Sequence, residues 1–261
     1  MSTDLGKKNL VEFFTTYCGV TPEPIQRSGE KSADFTADEN PIGYLIELKA
    51  RANRAEFVSD LAKGPTFVEE DPHFSQAFMN DAKKAVKQFQ ASDPQRDRLW
   101  ILWIDTSGRT ETDWGFWQAI DTLFGVRVYV DECINDYKCL HARESLLEKY
   151  QGIDAVVVRD DFHGMILCPN QFGKRPLQLG PSRLFQCFDA RQKVVTTSSL
   201  CKLGYPPIDP ALVDRNQNDP EHERSIPNFL LQRYGIKNAK PRTFTMHTGT
   251  IALPPRTQSG V

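Results

Sequence analysis

The chain has 261 residues, 39% of them hydrophobic and 10% aromatic, enough for a sizeable core in one domain or in a domain with an appendage. Charged residues make up 25% and the formal net charge is -2, so bulk charge recruits no polyanion, and a nucleic-acid partner would need a local basic surface or a metal ion. Six cysteines without a C-x-x-C pair read as reduced thiols, "MSTDLGKKNL" is polar, and no apolar run approaches the roughly 20 residues of a membrane span; the expectation is a cytoplasmic protein with no membrane partner.

Lys7 to Tyr17 reads as a short helix, with Leu10, Phe13, Phe14 and Tyr17 on one arc and Glu12 away from it. A turn-rich stretch follows, then a short extended piece from Asp34-Phe35, the loop "TADENP", and a clear strand from Gly43 to Arg51. The next connection is basic and helix-compatible (Arg51, Arg54, Lys63). Phe74 to Ala91 is a second helix, bounded by Asp71-Pro72 and Asp93-Pro94. "LWILWID", Leu99 to Asp105, is apolar enough for a strand buried on both faces. A helix over Trp114–Phe124, a strand over Val126–Val130, a helix over Ala142–Tyr150 and a strand pair, Ala155–Val158 and Met165–Cys168, complete an alternating pattern. That alternation predicts an α/β fold over residues 1–170. Prolines 176, 181, 206, 207 and 210 make 171–261 an irregular C-terminal extension, packed on the core or available to a second copy or a partner protein.

The chemistry concentrates on the Gly43–Arg51 strand. Side chains alternate faces, so Tyr44, Ile46, Leu48 and Ala50 share one side while Leu45, Glu47 and Lys49 share the other. Glu47 and Lys49 stand about 7 Å apart along the strand. They form either a charged ladder on an exposed face or the rim of a site. The bare pattern acid-x-Lys is cheap: it recurs at Asp81-Ala82-Lys83 inside a predicted helix and at Asp136-Tyr137-Lys138 in an expected polar loop. Only the first sits on a strand, with a further acid, Asp34, arriving from a neighbouring turn.

"GEKSADF", a loop and "YLIELKAR" together resemble the signature of the PD-(D/E)XK nuclease superfamily, in which an Asp opens one strand of a hairpin and an acid-x-Lys closes the next. The resemblance covers about Gly29 to Gln90, with Ala33 where the motif usually has proline. It implies a restriction-endonuclease-like mixed central sheet flanked by helices. It also implies an Mg²⁺-dependent phosphodiesterase, Mn²⁺ able to substitute, acting on nucleic acid with DNA favoured over RNA. Asp34 and Glu47 would be metal ligands with the Leu48 carbonyl, and Lys49 would orient the attacking water. Gln88 falls inside the apolar arc of the second helix and needs a polar partner. "KKAVKQFQ" resembles the superfamily helix that contributes a Gln or Lys, with Gln88 ahead of Lys84. Arg51, Arg54 and Lys84 are the expected nucleic-acid contacts. The alternative is a catalytically silent nuclease-fold module that binds nucleic acid or assembles with a partner.

Weaker features are set aside. Cys133, Cys139 and His141 lack zinc spacing. His163 reads as a turn residue beside solvated Asp160 and Asp161. Ser107, Ser198 and Ser199 have no nucleophile-elbow context, and neither a P-loop nor a dinucleotide-binding motif is present.

Overall fold

The computed structural model describes residues 2–26, 32–52, 74–108, 114–213 and 220–242. Arg54 and Lys63 lie outside the described residues. Helix α1 (Ser2–Phe13) begins earlier than the apolar arc implied, and continues into a wider turn over Phe14–Cys18. Gly19 closes that turn at φ 66°, a left-handed conformation that costs glycine little.

Three strands follow: β1 (Glu23–Pro24), β2 (Phe35–Asp38) and β3 (Gly43–Ala52). Helix α2 (Gln76–Ser92) leads to β4 (Leu99–Gly108), and α3 (Trp114–Phe124) to β5 (Val126–Val130). The stretch expected to be a polar loop is strand β6 (Asp136–Leu140). It pairs antiparallel with β5, and that pairing, not its own composition, makes it a strand. The expected helix over 142–150 is a 3₁₀ turn (Ala142–Glu144) and then one α-helical turn, α4 (Leu146–Lys149), capped by the Ser145 side chain on the Glu148 amide. The strand pair is present as β7 (Ala155–Asp160) and β8 (Gly164–Pro169), antiparallel to each other.

The molecule is mixed α/β. Its main sheet has six strands in the order β1-β2-β3-β4-β7-β8. The β3–β4 and β4–β7 pairs are parallel and the others antiparallel. Ile101, Leu102, Trp103 and Ile104 of the central strand β4 are wholly buried, because helices cover both faces. On one face α1 sets Leu10, Phe13 and Phe14 against Tyr44, Ile46 and Trp103. The Phe13 and Trp103 rings lie 5.6 Å apart, and each such aromatic pair adds about 0.5–1.5 kcal/mol beyond its buried area. On the other face α2 packs Phe78, Ala82, Ala85 and Phe89 beside Leu45, Leu102 and Ile104, the arc that its periodicity predicted.

Residues after 170 contribute to these cores. Leu179, Leu184 and Phe188 pack with α1, and Leu200 with the α2 side. A smaller core joins Tyr129 and Cys139 of the three-stranded β6-β5-β9 sheet to Ile208, Ile226 and Leu230, where β9 is Lys240–Pro241.

Candidate functional site

The site forms where the hairpin of β2 and β3 opens. The ladder runs from Asp38↔Gly43 to Phe35↔Ile46 and stops one residue short of Asp34 and Glu47. At that point the Asp34 amide still donates to the Ile46 carbonyl at 3.1 Å. The Leu48 amide turns instead to the Asp34 side chain, donating to Oδ2 at 3.0 Å. Within an extended strand the N–H and C=O of one residue point to the same neighbour, so the Leu48 carbonyl also faces the side where Asp34 stands.

Glu47 and Lys49 do not form a surface ladder. Leu45, on their face of β3, is buried in the α2 core, and Glu47 is only 1% exposed. Lys49 is ion-paired to Glu47 Oε1 with its side chain 18% exposed, so the pair lies at the rim of the core rather than on an open face. The second oxygen, Glu47 Oε2, is buried and has no hydrogen-bond partner among the described residues. Burial pushes the Glu47 carboxyl up to about 7; the charge and hydrogen bond of Lys49 oppose this and the Asp34 charge adds to it.

Gln88 has the polar partners that its place in an apolar arc demanded. Its Oε1 accepts from Lys49 Nζ at 3.1 Å, and its Nε2 donates to the Ser32 carbonyl at 3.1 Å. The amide thus ties the lysine to the chain entering β2. Lys84, one turn earlier, is exposed. Arg51 lies within β3, two positions after Lys49 in the chain. The non-proline residue at 33 has a local cause: the Ala33 amide donates to Ser92 Oγ at 2.9 Å, tying the end of α2 to the start of β2. Proline has no N–H to make that bond.

Glu12 is exposed, as its helical phase implied, yet it is not remote from the site. The exposed flank of α1 and the β1–β2 edge enclose an open cleft of about 850 Å³, and both Glu12 and Asp34 line it. Helical phase separates buried from exposed positions, but it does not say which exposed positions face a neighbouring edge strand.

Other candidates resolve into structural roles. Asp160 is buried rather than solvated: it accepts from the Phe162 amide at 3.1 Å and stands 2.6 Å from His163 Nδ1, bracing the β7–β8 turn. Asp161 takes an ion pair from Arg159 at 2.8 Å. Cys139 is buried while Cys133 is exposed, and His141 Nε2 lies 3.3 Å from the Tyr129 hydroxyl. Ser199 belongs to the capping box of a helix over Thr197–Lys202. Among the described residues no group of three or more His, Cys, Asp or Glu side chains gathers as a metal cluster. No described helix is long and apolar enough to cross a membrane.

Asp154 provides a useful contrast. Burial raises its carboxyl too, but Oδ1 takes Arg96 Nη2 at 3.1 Å and Oδ2 takes the Trp100 amide at 2.7 Å. A buried carboxylate with both oxygens satisfied is a structural brace. Among the described residues Glu47 has one oxygen satisfied and one not, and it feels the charges of a second carboxylate, Asp34, and of Lys49. That asymmetry marks the functional candidate. No protein-family model, no curated protein and no solved structure matches this chain, so the chemistry of the site has to be read from the geometry of Asp34, Glu47, Leu48, Lys49 and Gln88.

Proposed function

We infer that the protein is a metal-dependent nuclease that hydrolyses phosphodiester bonds in nucleic acid, DNA in the first instance. The observation that carries this reading is that Glu47 Oε2 is buried with no hydrogen-bond partner among the described residues, on a carboxyl that is ion-paired to Lys49 through Oε1 and feels the Asp34 charge. A buried carboxylate oxygen without a donor costs several kcal/mol, and such a cost is retained where a ligand removes it. A hard divalent cation does so, and Mg²⁺ asks for only one or two carboxylates, with waters and substrate oxygens completing its shell. The absence of a three-acid cluster among the described residues is therefore in keeping with the donor set. Asp34, Glu47 and the Leu48 carbonyl would hold the ion, with Mn²⁺ able to replace Mg²⁺. The ion supplies charge neutralisation at the phosphate and activation of the attacking water.

The remaining roles belong to the chain itself. Glu47 and Gln88 fix the Lys49 ammonium from two sides. A cation so held can orient a water for in-line attack on phosphorus and stabilise the charge that grows as the P–O ester bond breaks. The helix–strand–strand–helix–strand order of α1, β2, β3, α2 and β4 supports the resemblance to the PD-(D/E)XK superfamily, with the short β1 added ahead of the hairpin.

The test is cleavage of supercoiled plasmid and of single-stranded DNA with Mg²⁺, Mn²⁺ or chelator, by wild type, Glu47→Ala and Lys49→Ala. Metal-dependent cutting by wild type that both substitutions abolish is the expected result. A wild-type protein inert on every substrate with both ions overturns the enzymatic reading and leaves a silent nucleic-acid-binding module.

A further inference from the structure

The open cleft between α1 and the β1–β2 edge is lined by the exposed Lys7, Lys8, Glu12 and Thr15 of the α1 flank and by Asp34. We propose that it receives an unpaired strand running away from the scissile phosphate, which makes single-stranded nucleic acid the preferred substrate class. The proposal rests on the nuclease reading and narrows it.

Three features carry it. The first is continuity. Asp34 is both a wall of the cleft and the residue whose Oδ2 accepts from the Leu48 amide, so the cleft on the α1 side and the Glu47–Lys49 pair on the α2 side meet at the edge where β2 and β3 separate. The second is shape. A cleft of about 850 Å³ falls in the roughly 300–1,000 Å³ range that encloses a drug-sized ligand, comparable to a few nucleotide units and far short of a duplex turn. Its apolar walls include Val11 on α1 and Ile25 beyond β1. A duplex presents phosphates outward and keeps base faces stacked inside, so these walls would meet no base face. An unpaired strand can lay bases against them, as in grooves that bind single strands without reading sequence. The third is charge. Lys7 and Lys8 are exposed on α1 and line the same cleft, where they can meet the phosphates. Glu12, at i+4 from Lys8, offsets part of that lysine's charge, which leaves Lys7 as the stronger phosphate partner.

The full-length chain can be tested by fluorescence anisotropy in chelator with a labelled oligo-dT of about ten nucleotides, within the usual site size for such grooves, and with a hairpin duplex of equal length. Cleavage of both is then measured with Mg²⁺ beside hydrolysis of bis(p-nitrophenyl) phosphate, a diester too small to need the cleft. Wild type should bind and cut the single strand at least about tenfold better than the duplex. Thr15→Trp, at an exposed position lining the cleft, should lower single-strand cleavage about tenfold relative to hydrolysis of the small diester. Lys7→Ala with Lys8→Ala should reduce the dependence of log K on log salt by about 0.7 to 1.4, at about 0.7 for each phosphate no longer neutralised and less than that for Lys8 beside Glu12. The proposal is overturned if the duplex is bound and cut as well as the single strand, if wild type binds neither, or if both variants behave as wild type on oligo-dT. Failure of wild type to hydrolyse any diester would instead sink the nuclease reading, while the anisotropy would still decide what the cleft binds.

Discussion

The unusual burial of Glu47 has a measurable energetic signature in the metal-free protein. The carboxyl moves from an ordinary value of 4.5 to about 7, so the folded state holds its proton more tightly than the unfolded chain does. Stability from this group is therefore complete below about pH 4.5 and is lost as pH rises through about 7. At about 1.4 kcal/mol for each pH unit separating the two values, the full loss is about 3 kcal/mol, of which about 2–3 kcal/mol accrues between about pH 5 and about pH 8. The side chain is only 2% exposed, so solvent screening does not reduce that figure much. Glu47→Gln keeps the shape and removes the titration. Urea denaturation in chelator, at several pH values across that window, should show wild type losing about 2–3 kcal/mol more than the variant as pH rises. The double difference is the informative quantity, because the variant also leaves Lys49 without its carboxylate at every pH. Parallel curves, agreeing within about 0.5 kcal/mol, would refute the claim that Glu47 is desolvated and lacks a full partner set. Adding Mg²⁺ should restore wild-type stability by about 3 kcal/mol at a hundredfold excess over Kd, and should restore the variant less.

Other changes separate chemistry from architecture. Lys49→Met should lower kcat by about 10²–10³, the cost of removing one charge-stabilising donor, and should also destabilise the fold above about pH 7 by stranding the Glu47 charge; kinetics and a pH series of melts check both. Gln88→Ala should cost about 1 kcal/mol in denaturation and reduce kcat with KM little changed, because it loosens Lys49 rather than the substrate; a purely higher KM would contradict this role. Ala33→Pro, which would bring the residue to the superfamily's usual proline, should destabilise by about 1–3 kcal/mol by leaving Ser92 Oγ without its donor, and a neutral effect would count against that bond. Trp103→Ala should cost about 3–5 kcal/mol, since the ring is wholly buried between α1 and the sheet; chemical denaturation measures it.

The amino-acid sequence by itself determined the elements whose signal is local. The strands read at 43–51, 99–105 and 126–130 and the helices read at 74–91 and 114–124 are present, with bounds of 43–52, 99–108, 126–130, 76–92 and 114–124. It also singled out Glu47, Lys49 and Gln88, charged or amide residues on faces shared with apolar ones, whereas Asp34 stood out as an acid arriving from the neighbouring turn and through the resemblance to the superfamily hairpin. Tertiary structure decided everything that depends on neighbours. Asp136–Leu140 is a strand because β5 offers it a ladder, and its own residues are polar enough to read as loop. Whether Glu47 was a surface charge or a buried one depended on α2 covering its face of β3, an arrangement made across dozens of residues of chain. Glu12 shows the same limit: its helical phase left it exposed, and only the position of the β1–β2 edge turned that exposure into a wall of the cleft that reaches Asp34. Local patterning sets which side of an element is polar, whereas the packing of distant segments sets what that polar side meets.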